Sequence, residues 1–263
     1  MPLPSRTLCF PMAQSLVVAL ALVSSAPGQT LTETNAPAVS LPAPAPLPPP
    51  PEKPVEKEKP VAPPTPAPPL PGSLLVTELE GFAQNSVAVQ QLLTAALDLS
   101  GKGLVYKMGS AKPENGGMDC SGTMYYLLRS VGLTAVPRQS DEQYRWAWQA
   151  GTFIAVNGVE ARTFEFAKLR PGCLLFWTGT YDVGKRNPPI SHVMIYLGKR
   201  ATDGKELMFG ASDGRLSGGK PSWGVGVFDF RLPTAKGTSR FIGYAPIPGL
   251  SYDDAPSANA ASK

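Results

Sequence analysis

The proline-rich run over residues 37–71 limits most strongly what this chain can fold into. It holds 16 of the chain's 30 prolines and almost no large apolar side chain, so it cannot bury a hydrophobic core. Such a composition favours extended polyproline II, which makes a semi-rigid spacer. We therefore predict that residues 29–72 form a disordered linker and that the globular fold lies after it. Two interpretations fit this composition: a tether that holds the domain away from a surface, and a low-complexity leader without a function.

The N-terminus has the order of a secretory signal peptide. Arg6 precedes an apolar run over residues 16–23, and small residues follow; the run is too short to span a bilayer. We predict that residues 1–28 are a signal peptide and that the mature chain has no membrane span. An uncleaved anchor is the alternative. The expected location is therefore secreted, periplasmic or in the cell envelope.

The stretch after the linker, residues 73–250, is long enough for a single domain with a sizeable core, and residues 251–263 are predicted to be a disordered tail. The charge of the chain does not indicate a polyanionic partner. Net charge is only +4, and the sequence has no basic stripe interleaved with aromatic side chains. Nucleic acid is therefore not expected as a partner.

The sequence pattern of this domain changes from helical to strand-like. Apolar residues recur at helical spacing over 89–99 and 124–131, and a capping-box sequence starts a third helix at Ser140. Short apolar runs separated by turn residues then predict strands from Cys173, Ser191, Glu206, Gly224 and Ser239. Helices followed by strands favour an α+β domain with a mostly antiparallel sheet. We interpret residues 180–189 and 213–223 as loops, either rimming a cleft or simply at the surface.

One cysteine stands where a helix is expected to begin. In "MDCSGTMYYLL", Asp119 is a natural N-cap and Cys120 falls in the first turn. The free backbone N–H groups and helix dipole at such a position favour a thiolate and could hold an oxyanion. His192 is the single histidine of the chain, so it is the only imidazole that can act as base. The alternatives are that His192 is a hydrogen-bonded core residue and that Cys120 is a small apolar residue that only fills space in the core.

The remaining cysteines are few. Cys9 lies in the predicted signal peptide, which leaves Cys120 and Cys173 in the mature chain. Two cysteines and one histidine without close ligand spacing give no metal signature, and we expect no metal or other cofactor. A disulfide between Cys120 and Cys173 is the alternative, and it would block a cysteine nucleophile.

Five short sequences resemble the NlpC-type cell-wall peptidases in order and spacing over residues 100–245. They are "YKMGS" from Tyr106, "DCSG" from Asp119, "RQSDEQ" from Arg138, "KLRPGCLLFW" from Lys168 and "SHVMIYLG" from Ser191. The resemblance implies a papain-like fold, in which a Cys-bearing helix packs on an antiparallel sheet that carries the His. It also implies a cysteine endopeptidase of bacterial peptidoglycan, a class that often cuts after γ-D-glutamyl and before a diamino acid.

Roles carry over from the resemblance residue by residue. It implies that Cys120 is the nucleophile, that His192 is the base, and that Tyr106 lies near the oxyanion site. Asp119 and Ser121 match residues that in some members hold the N-terminal amine of the substrate. The alternatives are purely structural roles: Tyr106 as a core aromatic residue, Asp119 as an N-cap and Ser121 as a residue of the first helical turn.

Two further positions match the family pattern and would lie near the rim of the site. These are Arg138 and Ser140. The alternatives are that Arg138 pairs with a surface carboxylate and that Ser140 serves only as a cap. Arg138 is therefore counted among the candidate substrate-binding residues, together with Tyr106, Asp119 and Ser121.

The chain departs from the family at two positions. Where the family usually has Pro-Gly-Asp, this chain has Cys173 in place of the acidic residue. On the strand after His192, where the family places a His or another polar residue, our alignment finds Gly210. Ser212, two residues on and facing the same way, is the first candidate for a third catalytic residue that orients the imidazole. Asp213 and a backbone carbonyl are the alternatives.

These observations give one leading hypothesis and two alternatives. The leading one is a secreted cysteine peptidase or amidase that hydrolyses peptide bonds in peptidoglycan stem peptides through a thioester, with the linker as a tether to the wall or membrane. The first alternative is a catalytically impaired domain of the same fold that binds the wall or a partner. The second is a hydrolase of an amide outside the cell wall.

Overall fold

The computed structural model describes residues 70–158 and 163–253. The predicted signal peptide, residues 29–69 of the predicted linker and residues 254–263 of the predicted tail lie outside the described residues. Within the described part, no helix is both long enough and apolar enough to cross a membrane.

The three predicted helices are all present. They are α1 (Val87–Ser100), α2 (Cys120–Ser130) and α3 (Ser140–Gln149). The Ser86 hydroxyl caps the start of α1 by accepting the amide hydrogen of Val89. The residues at the predicted helical spacing within α1 and α2 are buried, so this periodicity marks the side of each helix that faces the core; they are Val89, Leu92, Leu93, Ala96 and Leu99 of α1 and Met124, Leu127 and Leu128 of α2.

Eight strands occur in the described residues. They are β1 (Val105–Tyr106), β2 (Gly117–Met118), β3 (Ile154–Ala155), β4 (Leu174–Thr178), β5 (Ile190–Lys199), β6 (Glu206–Ser217), β7 (Lys220–Asp229) and β8 (Arg240–Ala245). β1 and β2 form a short parallel pair, and the others form an antiparallel sheet in the order β3-β8-β4-β5-β6-β7. The predicted α+β class with a mostly antiparallel sheet is therefore confirmed.

Side chains alternate between two buried layers along β5. Val193 and Ile195 join the core formed with α1 and α2, while Met194 and Tyr196 join an aromatic cluster on the opposite face of the sheet. His192 lies on the same face of the sheet as Met194 and Tyr196, because its ring packs against Trp177 of the aromatic cluster. The alternation predicted from the sequence is thus correct for this strand.

The predicted loop over residues 213–223 is wrong. β6 continues to Ser217 and β7 begins at Lys220, so most of this stretch is a β-hairpin. Gly218 and Gly219 make the turn with φ of 57° and 83°, a conformation that a two-residue hairpin turn needs and that glycine adopts freely. The Gly-Gly pair was the available signal, but the polar residues before it suggested a loop.

The predicted capping role of Ser140 is also wrong. Ser140 is the first residue of α3, and Gln139 is the N-cap. The Glu142 carboxylate accepts the Gln139 amide hydrogen at 3.2 Å, which is the reciprocal half of a capping box. The Ser140 hydroxyl instead donates to the carbonyl oxygen of Ile190 at 3.1 Å, and so ties α3 to the start of β5.

Candidate active site

The start of α2 is shaped by close backbone contacts. The Asp119 carboxylate caps the helix by accepting the amide hydrogen of Gly122 at 2.6 Å. A Cβ atom at position 122 would overlap the carbonyl oxygen of Ser110. The glycine of "DCSG" therefore allows the Ser110 backbone to approach the turn that carries Cys120.

The Cys120 sulfur lies against the strand that carries His192. Its Sγ is 4.0 Å from the carbonyl oxygen of Ser191, and the backbone amides of Val193 and Ser121 act on the sulfur to lower the pKa of the thiol. The sulfur thus contacts the backbone of β5 directly before His192. The structure brings together the helix start and the strand that the sequence singled out.

The Cys120 thiol is protonated at neutral pH, although its position at the start of a helix favours a thiolate. The side chain is only 4% exposed, and burial, followed by the nearby negative charge of Asp119, raises its pKa to about 11. The two amides and Arg138 act in the opposite direction. Desolvation outweighs these donors, which is why the helix-start position alone does not activate the thiol.

His192 is likewise neutral. Its side chain is 5% exposed, and burial together with the positive charge of Arg215 lowers its pKa well below the usual 6.5. The ring lies edge-on to Trp177, with 5.7 Å between ring centroids. Nε2 is buried without a hydrogen-bond partner among the described residues, so this nitrogen has unused bonding capacity.

The register between β5 and β6 places residue 212, not 210, beside His192. Ile195 pairs with Phe209, and continuing that antiparallel register aligns Met194 with Gly210 and His192 with Ser212. A Cβ atom at position 210 would lie 2.9 Å from the Met194 side chain. Ser212 is buried and lines the same cavity as His192, but it does not bond to Nε2.

Asp119, Ser121 and Arg138 form one polar cluster beside Cys120. The Arg138 guanidinium donates to both carboxylate oxygens of Asp119, at 2.8 and 3.1 Å, and to the Ser121 hydroxyl at 3.0 Å. The Gly109 amide donates to the same carboxylate at 2.8 Å. Arg138 therefore pairs with a buried carboxylate rather than a surface one, and Asp119 already acts as cap and as ion-pair partner.

Gln143 supports this cluster and was missed by the sequence reasoning. Its fully buried side chain donates to the carbonyl oxygens of Ser121 and Pro137, at 3.0 and 2.9 Å. It stands in "RQSDEQ", the sequence that also contains Arg138 and Ser140. These three side chains connect α3 to the start of α2 and to β5, so the sequence works as one positioning unit.

Two cavities meet at Met108 and Tyr181, which line both. The first, called here the thiol cavity, has a volume of about 370 Å³ and is lined by Asp119, Cys120, Ser121 and Arg138 among others. The second, called here the imidazole cavity, has a volume of about 560 Å³ and is lined by Tyr106, His192, Ser212, Asp213 and Arg215 among others. Tyr181 thus lies at a cleft, as one interpretation of the 180–189 loop expected, whereas Trp223 lines neither cavity.

Tyr106 is held in position by the short parallel pair of β1 and β2. It lies opposite Met118, two residues before the nucleophile candidate. Burial and the proximity of Cys120 raise the pKa of its phenol. Tyr106 therefore remains protonated at neutral pH and offers an O–H donor near Cys120.

The two described cysteines are not bridged. Cys120 and Cys173 are both free and buried, and they belong to the cores on opposite faces of the sheet. The alternative of a disulfide between them is therefore wrong for this structure. Burial raises the pKa of Cys173 to about 11, so this second thiol is also unreactive at neutral pH.

Comparison with known proteins finds a family that part of this chain resembles. Residues 103–220 match the sequence model of the NlpC/P60 family. A solved structure from Staphylococcus aureus, described as similar to a lipoprotein of the NLP/P60 family, shares 22% sequence identity with a TM-score of 0.39. That match covers 67% of this chain but only 43% of the other. No curated protein matches the sequence.

Proposed function

Because residues 103–220 match the sequence model of the NlpC/P60 family, whose members are in general cell-wall cysteine peptidases and amidases, we propose that this protein hydrolyses peptide bonds in peptidoglycan stem peptides. The observation that supports the proposal is the contact of the Cys120 sulfur with the carbonyl oxygen of Ser191, the residue directly before His192. We further propose that the protein acts outside the cytoplasm, with the proline-rich linker as its tether.

The proposed reaction starts from a neutral pair. His192 removes the Cys120 proton as the thiolate attacks the amide carbonyl, because both groups are neutral at rest. The backbone amides of Cys120 and Ser121, with the Tyr106 hydroxyl, stabilise the oxyanion. The imidazolium then gives its proton to the leaving amine. Water resolves the thioester and regenerates the thiol.

The same chemistry assigns a direction to the cleft. The leaving amine must lie next to the group that protonates it, so the part of the substrate after the scissile bond occupies the imidazole cavity. The acyl part occupies the thiol cavity, whose lining residues Asp119, Ser121 and Arg138 are proposed to bind the free N-terminal amine and the peptide around it. An amine that binds Asp119 must replace one of the donors that now fill its carboxylate.

Digestion of purified muropeptides under reducing conditions tests the proposed function. Cys120→Ala should abolish hydrolysis, whereas Cys173→Ala, which removes the other free thiol from the far face of the sheet, should retain it. Product masses identify the bond that is cut. Unchanged hydrolysis by Cys120→Ala would refute the mechanism, provided that circular dichroism shows both variants to be folded.

Ser212 is proposed as the residue that orients the imidazole. Its place beside His192 in the β5–β6 register supports this role. Ser212→Ala should lower kcat about tenfold with little change in KM, because a positioning group acts on the chemical step. An unchanged kcat would assign the orientation to packing on Trp177 alone.

A second candidate function, binding without hydrolysis, is favoured by the burial and neutrality of the Cys120 thiol. In that case the wild-type protein would release no product from any wall chemotype, yet would bind muropeptides in a titration. Any product that depends on Cys120 would exclude this candidate.

A further inference from the structure

Arg215 is a cation in the imidazole cavity that has no hydrogen-bond acceptor or ion-pair partner among the described residues. It is half-buried, and burial lowers its pKa only to about 10, so it is charged at neutral pH. A guanidinium offers five N–H donors, yet within residues 70–158 and 163–253 no acceptor bonds to it and no carboxylate lies within ion-pair distance. Asp213 is the carboxylate whose charge raises the pKa of Arg215. A half-buried arginine left in this state is available to a ligand.

A β-bulge directs Arg215 into the cavity. Asp213 and Arg215 pair with consecutive residues of β7, Trp223 and Ser222, so Gly214 is an extra residue in β6. Gly214 has a φ of 136°, which glycine tolerates and other residues rarely adopt. Because one extra residue reverses the alternation of side chains, Arg215 lies on the His192 face of the sheet instead of facing the helices.

Trp177 supports both the base and the arginine. The Arg215 guanidinium carbon lies 4.1 Å from the centre of the Trp177 ring, a cation–π contact, while His192 lies edge-on to the same ring. Trp177 itself is completely buried. The cation is therefore held on the same rigid support as the proposed general base, in the cavity that they both line.

We propose that Arg215 binds a free carboxylate on the residue that supplies the leaving amine. The inference rests on the proposed function, which places the leaving group in the imidazole cavity. A planar guanidinium fixed on an aromatic ring matches a carboxylate in a two-pronged geometry. The enzyme then prefers substrates in which the diamino acid after the scissile bond carries a side-chain carboxylate over those in which that group is a carboxamide.

The second arginine of the cavity supplies a matched control. Arg231 lies 3.5 Å from the Asp229 carboxylate, and its side chain is 61% exposed. Its charge is partly compensated and screened by solvent, in contrast to that of Arg215. Replacing Arg231 changes the net charge of the cavity by the same amount without removing the cation beside Trp177.

The kinetic test uses two synthetic stem peptides that differ only in this carboxylate or carboxamide. Wild-type protein should hydrolyse the carboxylate peptide with a kcat/KM about 10- to 100-fold higher, the range expected for one charge-assisted interaction. Arg215→Met should lose this preference by slowing only the carboxylate peptide, and Arg231→Met should keep it. Equal slowing of both peptides by Arg215→Met would overturn the proposal and indicate an effect through Trp177 or His192.

A binding test separates this inference from the proposed function. Calorimetric titration of the Cys120→Ala protein with both peptides measures recognition without turnover. Tighter binding of the carboxylate peptide, lost when Arg215→Met is added, supports the inference even if the wild-type protein hydrolyses neither peptide, in which case the proposed function alone fails. Equal affinity for the two peptides would overturn the role of Arg215 whatever the activity.

Discussion

At the scale of single residues, burial sets the charge states of Cys120 and His192. Two backbone amides and Arg138 favour the Cys120 thiolate, whereas the positive charge of Arg215 favours the neutral form of the His192 imidazole. Because desolvation penalises the charged form of any group, the thiol pKa rises and the imidazole pKa falls. The resting site is therefore neutral, and the proton must move during the reaction.

This neutrality predicts the pH dependence of activity. His192 must be unprotonated to act as base, so activity is lost as pH falls through its lowered pKa and is fully present above it. We expect kcat/KM to stay nearly constant from 6.5, the ordinary imidazole pKa, up toward the Cys120 pKa of about 11, and to fall only in more acidic solution. A pH series with the carboxylate peptide checks this. An acid limb with its midpoint at or above 6.5 would contradict it.

At the scale of elements, the site depends on how closely α2 approaches the loop that contains Ser110. The Asp119 amide donates to the Ser110 carbonyl oxygen at 3.0 Å, and the hydrogen on the Gly122 Cα is all that fits on the other side of that oxygen. The first turn of α2 therefore cannot move outward or inward without breaking a contact. A short motif fixes the position of the nucleophile because the surrounding backbone leaves no room for variation.

We predict that Gly122→Ala displaces the first turn of α2. The added methyl group meets backbone rather than a flexible side chain, so overpacking should cost about 1–3 kcal/mol of stability and abolish hydrolysis by shifting Cys120. Gly101→Ala is the matched control, because its Cβ would meet only ordinary contact, 3.6 Å from the Asp98 carbonyl oxygen. Thermal unfolding and the muropeptide assay measure both variants. A Gly122→Ala protein with unchanged melting temperature would contradict this account.

The hairpin of β6 and β7 places a residue in the cavity that the sequence pattern did not predict there. The bulge at Gly214 reverses the facing of Arg215, whereas strict alternation would have turned it toward the helices. Assigning alternate residues to opposite faces of a sheet is valid only while the pairing between the strands is regular. Arg215 was therefore hidden from sequence reasoning by the same irregularity that makes it available in the cavity.

At the scale of the whole molecule, the segment before α1 completes one edge of the sheet. Gly72 accepts the Val227 amide hydrogen at 2.9 Å, and its own amide donates to the Ser217 hydroxyl at 2.9 Å. Pro71 packs over the backbone of Gly226. The last residues of the predicted linker thus contact β6 and β7, far along the chain, and cover the β7 edge.

This contact predicts a difference between two truncated proteins. Residues 70–263 should be more stable than residues 73–263 by about 1–2 kcal/mol, the range of one or two hydrogen bonds with some apolar burial. Activity on soluble muropeptides should be equal, because residues 70–72 line neither the thiol cavity nor the imidazole cavity. Urea unfolding of both proteins, with the muropeptide assay as control, makes the comparison. Equal stability would show that the edge contact contributes nothing.

The helix starts and strand alternation were readable from the sequence because they follow from local rules. The N-cap position of Asp119, the first-turn position of Cys120 and the alternation around His192 each depend on residues only a few positions apart. The N-cap of α3 and the extent of the β6–β7 hairpin also depend on residues only a few positions apart, but both were predicted wrongly. Adjacent residues fit either of two start positions equally well. Local signals therefore predicted which elements exist more reliably than where each begins.

The sequence by itself determined the α+β class, the resemblance to the NlpC-type peptidases and the cysteine and histidine to examine, because these depend on periodicity, motif order and the presence of a single imidazole. Only the tertiary structure decided that both groups are neutral, that Ser212 lines the same cavity as His192, and that Arg215 enters that cavity. Desolvation, strand register and the effect of a bulge are properties of residues brought together from distant parts of the chain. They arise only when the sheet and helices pack.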